Sequence, residues 1–122
     1  MNSSSLHHVS LMVRQLDEAL DFYISVLGLR HRTDRPATGG RGAWLDLGDQ
    51  QLHLIEGTPP PARGQHFALR VDDLDATREL LLGRGVEVSA PVTIGAARQS
   101  FLRDPSGNAI ELHETTSHRT GP

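Results

Sequence analysis

Apolar and polar positions alternate in the first patterned stretch, LHHVSLMV at residues 6–13. Successive side chains of a strand point to opposite faces. Val9, Leu11 and Val13 therefore share a packing face with His7 at its start, and His8, Ser10 and Met12 share the other. The period then changes. In QLDEALDFYISVLGL, Leu16, Leu20, Tyr23 and Leu27 recur at helical spacing, and Gly28 follows as a stop. A charged, glycine-rich stretch from Arg30 to Gly42 reads as a separator, with Gly39-Gly40 a surface loop. AWLDLG and QLHLIEG then form two strands around the turn signal Gly48-Asp49. The segment TPPPARG, residues 58–64, reads as a linker, because three consecutive prolines remove amide donors.

Beyond the linker the order recurs. HFALRVDDLDAT parallels HVSLMVRQLDEA, so that His66 falls on His8, Leu69 on Leu11, Val71 on Val13, Leu74 on Leu16 and Asp75 on Asp17, each pair 58 residues apart. At the same offset Asp46 falls on Asp104, Leu52 on Ile110, His53 on Glu111, Leu54 on Leu112 and Glu56 on Glu114. ELLLGRGVEV supplies a second helix, and VTIGAARQSFLRDPSGNAIELHE the later strands. Such a repeat implies two modules, each a strand, a helix and three further strands.

The pleat places the candidate chemistry. His53 points away from Leu52 and Leu54, His66 away from Phe67, Leu69 and Val71, and Glu111 away from Ile110 and Leu112. Taken singly, each of His8, His53, His66 and Glu111 is an ordinary polar residue on a solvent face. At two repeat-related positions, three imidazoles and a carboxylate form a ligand set suited to zinc, nickel, manganese, iron or cobalt. His113 shares the face of Glu111 and can support it. His7 and His118 read as frayed-end surface residues, and His31 as a loop residue.

Composition narrows the alternatives. The 122 residues suffice for one domain, and no cysteine is present, so there is no disulfide, thiolate metal site or cysteine nucleophile. A net charge of -3 offers no basic stripe for nucleic acid. The polar start MNSSSLHH lacks a signal-peptide pattern, and no apolar run approaches the ~20 residues of a membrane span. A cytoplasmic protein without a membrane partner is expected, with loose ends at Met1–Ser5 and Thr115–Pro122.

The runs HHVSLMVRQLDEALDFYISVLGL, GAWLDLG, HFALRVDDLD and FLRDPSGNAIELHE resemble the vicinal oxygen chelate superfamily, which includes glyoxalase I, fosfomycin-resistance enzymes, bleomycin-resistance proteins and extradiol dioxygenases. The resemblance covers about residues 6–114. It implies an α+β fold of paired βαβββ modules, about 6–57 and 65–114 of a single glyoxalase-like domain 1–122, whose curved mixed sheets enclose a metal cleft. It also implies a homodimer with exchanged halves, each site taking His8 and His53 from one subunit and His66 and Glu111 from the other. His8, His66 and Glu111 match the ligands common to metal-using members. His53 matches the fourth ligand of glyoxalase I, where bacterial members usually carry a carboxylate.

The implied activity is that of a lyase or isomerase. A divalent ion would hold vicinal oxygens of a small substrate and stabilise an enediolate or alkoxide, and Glu111 or a metal-bound water would move the proton. Trp44, Gln99, Phe101 and Arg103 would line the pocket, Arg103 orienting an anionic group or serving a structural salt bridge. A fosfomycin-type thiol transferase fits less well, because Trp44 and Phe101 replace two of its tyrosines and no lysine is present. An extradiol-type dioxygenase is a further enzymatic alternative. A metal-free drug-binding protein of the bleomycin-resistance type is the non-enzymatic one, though such proteins do not keep these ligand residues.

Overall fold

The computed structural model describes residues 3–37 and 39–115 of the chain. The expectations for Met1, Asn2 and residues 116–122, His118 among them, lie outside the described residues. The chain divides into two compact units, residues 1–61 with 105–108, and residues 62–104 with 109–122.

The first unit runs β1 (His8–Val13), α1 (Leu16–Leu20) continuing as a π-helical segment (Asp21–Val26), β2 (Arg30–His31), β3 (Gly42–Leu47) and β4 (Gln50–Glu56). Its sheet has the order β1-β4-β3-β2, with β1 parallel to β4 and the remaining pairs antiparallel. The second unit repeats this as β5 (Phe67–Arg70), α2 (Leu74–Gly83), β6 (Val92–Ile94), β7 (Ala97–Arg103) and β8 (Ala109–Thr115), in the order β5-β8-β7-β6. These are two four-stranded mixed sheets built as βαβββ modules.

Alternation decides which side chains are buried. Val13, Leu45, Leu52 and Leu54 are fully buried in the first unit, as is Ile110 in the second, with Leu112 nearly so. Each such side chain contributes about 1.5–3 kcal/mol of apolar burial. In the first helix the wider π winding accompanies burial of the successive aromatics Phe22 and Tyr23, packed edge to face at 5.2 Å. Gly28 ends it at φ +82°, as expected of a glycine stop.

Four expectations need correction. Thr115, expected in a loose end, is the last residue of β8. The stretch from Arg30 to Gly42 is not wholly a separator, because Arg30 and His31 form β2 against Asp46 and Leu45. His31 is thus an edge-strand residue rather than a loop residue, and a two-residue charged edge leaves no periodicity to read. The repeat offset also slips at one point. β4 maps onto β8 at 58, but Trp44 faces His53 where Phe101 faces Glu111, so β3 maps onto β7 at 57. Asp46 therefore corresponds to Arg103, not Asp104, because the second hairpin has one more residue in its turn.

The repeat extends to how each helix starts. The Leu16 amide donates to Glu56 Oε2 at 2.9 Å, and the Leu74 amide to Glu114 Oε2 at 2.8 Å. Helix N-termini carry unsatisfied amides, and a carboxylate there both accepts a hydrogen bond and meets the positive end of the helix dipole. Gln15, which precedes α1, supplies no side-chain cap. In both units an arginine lies between the glutamate and an aspartate of the helix's first turn: Arg41 with Glu56 and Asp17, and Arg98 with Glu114 and Asp75. The PSGN turn belongs to the first unit, where Ser106 Oγ accepts from the Arg14 amide at 2.8 Å and the Asn108 side-chain amide donates to Met12 O at 2.9 Å. Among the described residues no helix is long and apolar enough to cross a membrane.

Ser100 is fully buried on β7, and among the described residues its hydroxyl has no hydrogen-bond partner. Its counterpart in the first unit is the buried Ala43. Ser100→Ala should therefore stabilise the protein by about 1 kcal/mol, whereas Glu114→Ala, which strands the Leu74 amide, should destabilise it by about 2–3 kcal/mol. Urea denaturation midpoints measure both; a lower midpoint for Ser100→Ala would contradict the first expectation.

Candidate metal and substrate site

In the first unit the expected face is formed by β1, β4 and β3. His8, Ser10 and Met12 pair in register with Gln51, His53 and Ile55, and His53 pairs with Trp44 on the other side. Three rings stack across these strands. His8 and His53 have centroids 4.0 Å apart at 14°, and His53 and Trp44 4.7 Å apart at 13°. His53 Nε2 hydrogen-bonds Gln51 Oε1 at 2.8 Å, and His8 Nδ1 shares a hydrogen bond of 2.8 Å with His7 Nδ1. Burial, aided by the charge of neighbouring His8, holds His53 below the ordinary histidine value of 6.5. A neutral imidazole is the form that ligates metal.

In the second unit β5 leads in from His66 and β8 carries Glu111. His66 lies just before Phe67, where β5 begins. Its Nδ1 donates to Gly64 O at 2.8 Å, and its Nε2 meets Glu111 Oε1 at 3.0 Å. The Gly64 carbonyl and then the Glu111 carboxylate raise its pKa above 6.5. With both nitrogens facing oxygen acceptors, the protonated form of the ring is favoured. Glu111, 8% exposed, also accepts from His113 Nδ1 through Oε2 at 2.8 Å, and His113 Nε2 is held by the Thr115 hydroxyl at 2.9 Å. His113 thus supports Glu111, as its position suggested.

The pocket residues divide in the same way. Trp44 closes the stack on His53, and Phe101 meets His66 edge to face at 5.2 Å and 80°. Gln99 stands opposite His113, and Arg103 opposite Ala109 at the exposed end of β7. Sequence reasoning missed Gln51, Gly64 and Thr115. Two of these were within reach of it, because Gln51 and Thr115 lie two positions from His53 and His113 along one strand face.

Among the described residues no three His, Cys, Asp or Glu side chains are grouped to hold an ion. The four expected ligands instead form two pairs, one in each unit. Their chemistry suits a borderline divalent ion. The 3.0 Å between His66 Nε2 and Glu111 Oε1 is close to the spacing of two donors each ~2.1 Å from one ion. His66 is also oriented through its other nitrogen by a backbone carbonyl, the usual support of a metal-binding histidine.

The family described as "Glyoxalase/Bleomycin resistance protein/Dioxygenase superfamily" matches residues 5–112. The chain belongs to this glyoxalase superfamily. Among its relatives, a probable lactoylglutathione lyase of Vibrio cholerae is 30% identical over 135 aligned positions, covering 99% of this chain and 98% of that one. A probable chloroplastic lactoylglutathione lyase of Arabidopsis thaliana is 30% identical over 88% of this chain, which spans only 35% of its length. Among solved structures, a glyoxalase family protein from Bacillus anthracis superposes with a TM-score of 0.83 at 25% identity, covering 94% of this chain and 98% of that one. TnmS3, an antibiotic binding protein from Streptomyces sp. CB03234, gives 0.80 at 33% identity with the same coverage. The glyoxalase superfamily thus contains both lyase-named and ligand-binding relatives of this chain.

The two shifted histidines act oppositely on stability. His66, raised, contributes stability that is present below its unfolded value of 6.5 and lost as pH rises through its higher folded value. His53, lowered, contributes stability that is present above 6.5 and lost as pH falls through its folded value. NMR titration of the imidazole Cε1 protons in metal-free protein should place the His66 midpoint above 6.5 and the His53 midpoint below it; the reverse order would contradict the proton inventory of both pairs.

Proposed function

We propose that the chain is a divalent-metal-dependent enzyme of glyoxalase type, a lyase or isomerase acting on a small substrate through vicinal oxygens. His8, His53, His66 and Glu111 hold the ion, and two chains exchange halves in a cytoplasmic homodimer. The observation that carries this reading is the His66–Glu111 pair. A buried carboxylate faces a carbonyl-oriented imidazole across a gap the size of a ligand edge, and a second imidazole fixes the carboxylate's other oxygen.

A bound divalent ion supplies Lewis acidity, polarising substrate oxygens. The chain's own groups do the rest. The Glu111 carboxylate takes up and returns a substrate proton, while the Oε2 bond from His113 keeps it oriented. Trp44 and Phe101 flank the two pairs with aromatic surface that excludes water. Gln99 and Arg103 lie on the Glu111 face and contact the substrate.

A second reading rests on the likeness to TnmS3 and on the Trp44–His53–His8 stack, a flat aromatic surface able to receive a planar ligand without metal. Metal binding separates the two. Stripped protein titrated with nickel, cobalt, zinc, manganese or iron(II) should bind one ion per chain and rise in Tm, with proton release as the ion displaces the His66 Nε2 proton. His53→Ala should weaken the affinity by about 10- to 100-fold, and His53→Glu should retain it with a shift toward harder ions. No stoichiometric metal and an unchanged Tm would establish the metal-free reading.

Subunit mixing tests the exchange of halves. His8→Ala and Glu111→Ala chains, inactive alone, should on mixing give dimers with one intact and one doubly altered site, recovering at most half the wild-type metal content. No recovery after demonstrated exchange would place each site within one chain.

A further inference from the structure

The face of the first unit that carries the ring stack has a second row beyond it, formed by Gly42, Ile55 and Met12. Gly42 pairs with Ile55, and Ile55 with Met12, across adjacent strands. Ile55 is 37% exposed and Met12 41%, so this row is an apolar shelf open to solvent. Gly42 brings no side chain: a Cβ there would meet the Leu54 carbonyl oxygen and the Arg35 guanidinium, whose Nη2 lies 2.7 Å and Cζ 2.9 Å from its position.

Charge distinguishes Arg35 from its neighbours. Arg30 and Arg32 are neutralised by Asp46 and Asp34 at 2.7–3.0 Å. Among the described residues Arg35 meets no carboxylate. Among these residues its guanidinium donates two long hydrogen bonds, both 3.3 Å, to Gly40 O. Its charge nevertheless reaches the stack, since Arg35 is among the cations that disfavour protonation of His53. A partly exposed arginine without an acid partner, beside an apolar shelf, is suited to planar two-point recognition of a carboxylate.

We propose that Arg35 is a specificity-determining residue that binds the carboxylate of an amphiphilic substrate whose apolar segment lies across Ile55 and Met12. This deepens the enzymatic reading and rests on it for the word substrate. The ligand is then oriented with its far end toward Trp44, His53 and His8, the next row of the same face. Arg32, locked between Asp34 and Asp46, cannot substitute.

Trp44 is the only tryptophan in the chain, so its fluorescence reports on this face. Metal-free protein is titrated with hexanoate and with hexanamide, two probes of the same shape that differ in charge. Hexanoate should bind at least about ten-fold more tightly, the usual scale for a hydrogen bond to a charged group. Arg35→Gln should bring hexanoate down to the level of hexanamide without changing the latter, and Met12→Ser should weaken both alike. Equal binding of the two probes by wild type, binding of neither, or an unaltered preference in Arg35→Gln overturns the proposal. Nickel titration of the same Arg35→Gln protein is independent of this outcome. Loss of probe selectivity with retained nickel binding supports both readings, whereas wild type that selects hexanoate but binds no metal retains the carboxylate site and removes the enzymatic one.

Discussion

Each module depends on a carboxylate near the end of its last strand that accepts the first amide of its helix. Glu56 does this for Leu16 and Glu114 for Leu74. The helix follows the first strand and the glutamate sits on the last, so one hydrogen bond joins the two ends of a βαβββ unit. That closure brings β1 parallel to β4 and β5 parallel to β8, at the pairings Val9–Leu52 and Phe67–Ile110. Register follows, and a slip of one residue would move every histidine of the site to the packing face. Glu114 is buried and Glu56 partly so, and a buried carboxylate is costly unless it is paired. Amide, arginine and helix dipole together satisfy it.

The same closure places chemistry at a predictable depth. His53 and Glu111 follow buried Leu52 and Ile110, so each emerges from the core by one residue and is held stiffly by its strand. Their environments then diverge. His53, stacked between two rings and partly buried, is driven toward the neutral form, while His66, between a carbonyl and a carboxylate, is driven toward the charged one. At His66–Glu111 the favoured proton and a metal cation would compete for the same edge, so affinity for an ion there would depend on pH.

Most of this was legible in the sequence because period-two alternation and a 58-residue repeat are independent signals that agreed. Alternation put His8, His53, His66 and Glu111 on open faces, and the repeat matched Glu56 to Glu114 before any helix cap was visible. Three features were not legible. β2 is too short and too charged to show a period, and it is seen only in its pairing with β3, where Arg30 also meets Asp46. The offset returns from 57 to 58 across the second hairpin, where only strand pairing can reveal one extra turn residue. Arg35 lies in a loop whose sequence carries no periodicity, and only the empty side of Gly42 shows where its guanidinium goes.

Correct registration of the two halves shows how one scaffold supports unlike surfaces. The row Gly42, Ile55 and Met12 in the first unit corresponds to Gln99, His113 and Arg70 in the second. The backbone pairings are the same, so the difference resides in side chains alone. One row is apolar with an arginine laid over its glycine; the other is polar, with His113 committed to Glu111 and Gln99 beside it. The strand cores on the opposite face stay aliphatic in both units, the buried Ser100 in place of Ala43 being an exception. Divergence is thereby confined to positions where a change costs little folding energy and alters only what the face can bind.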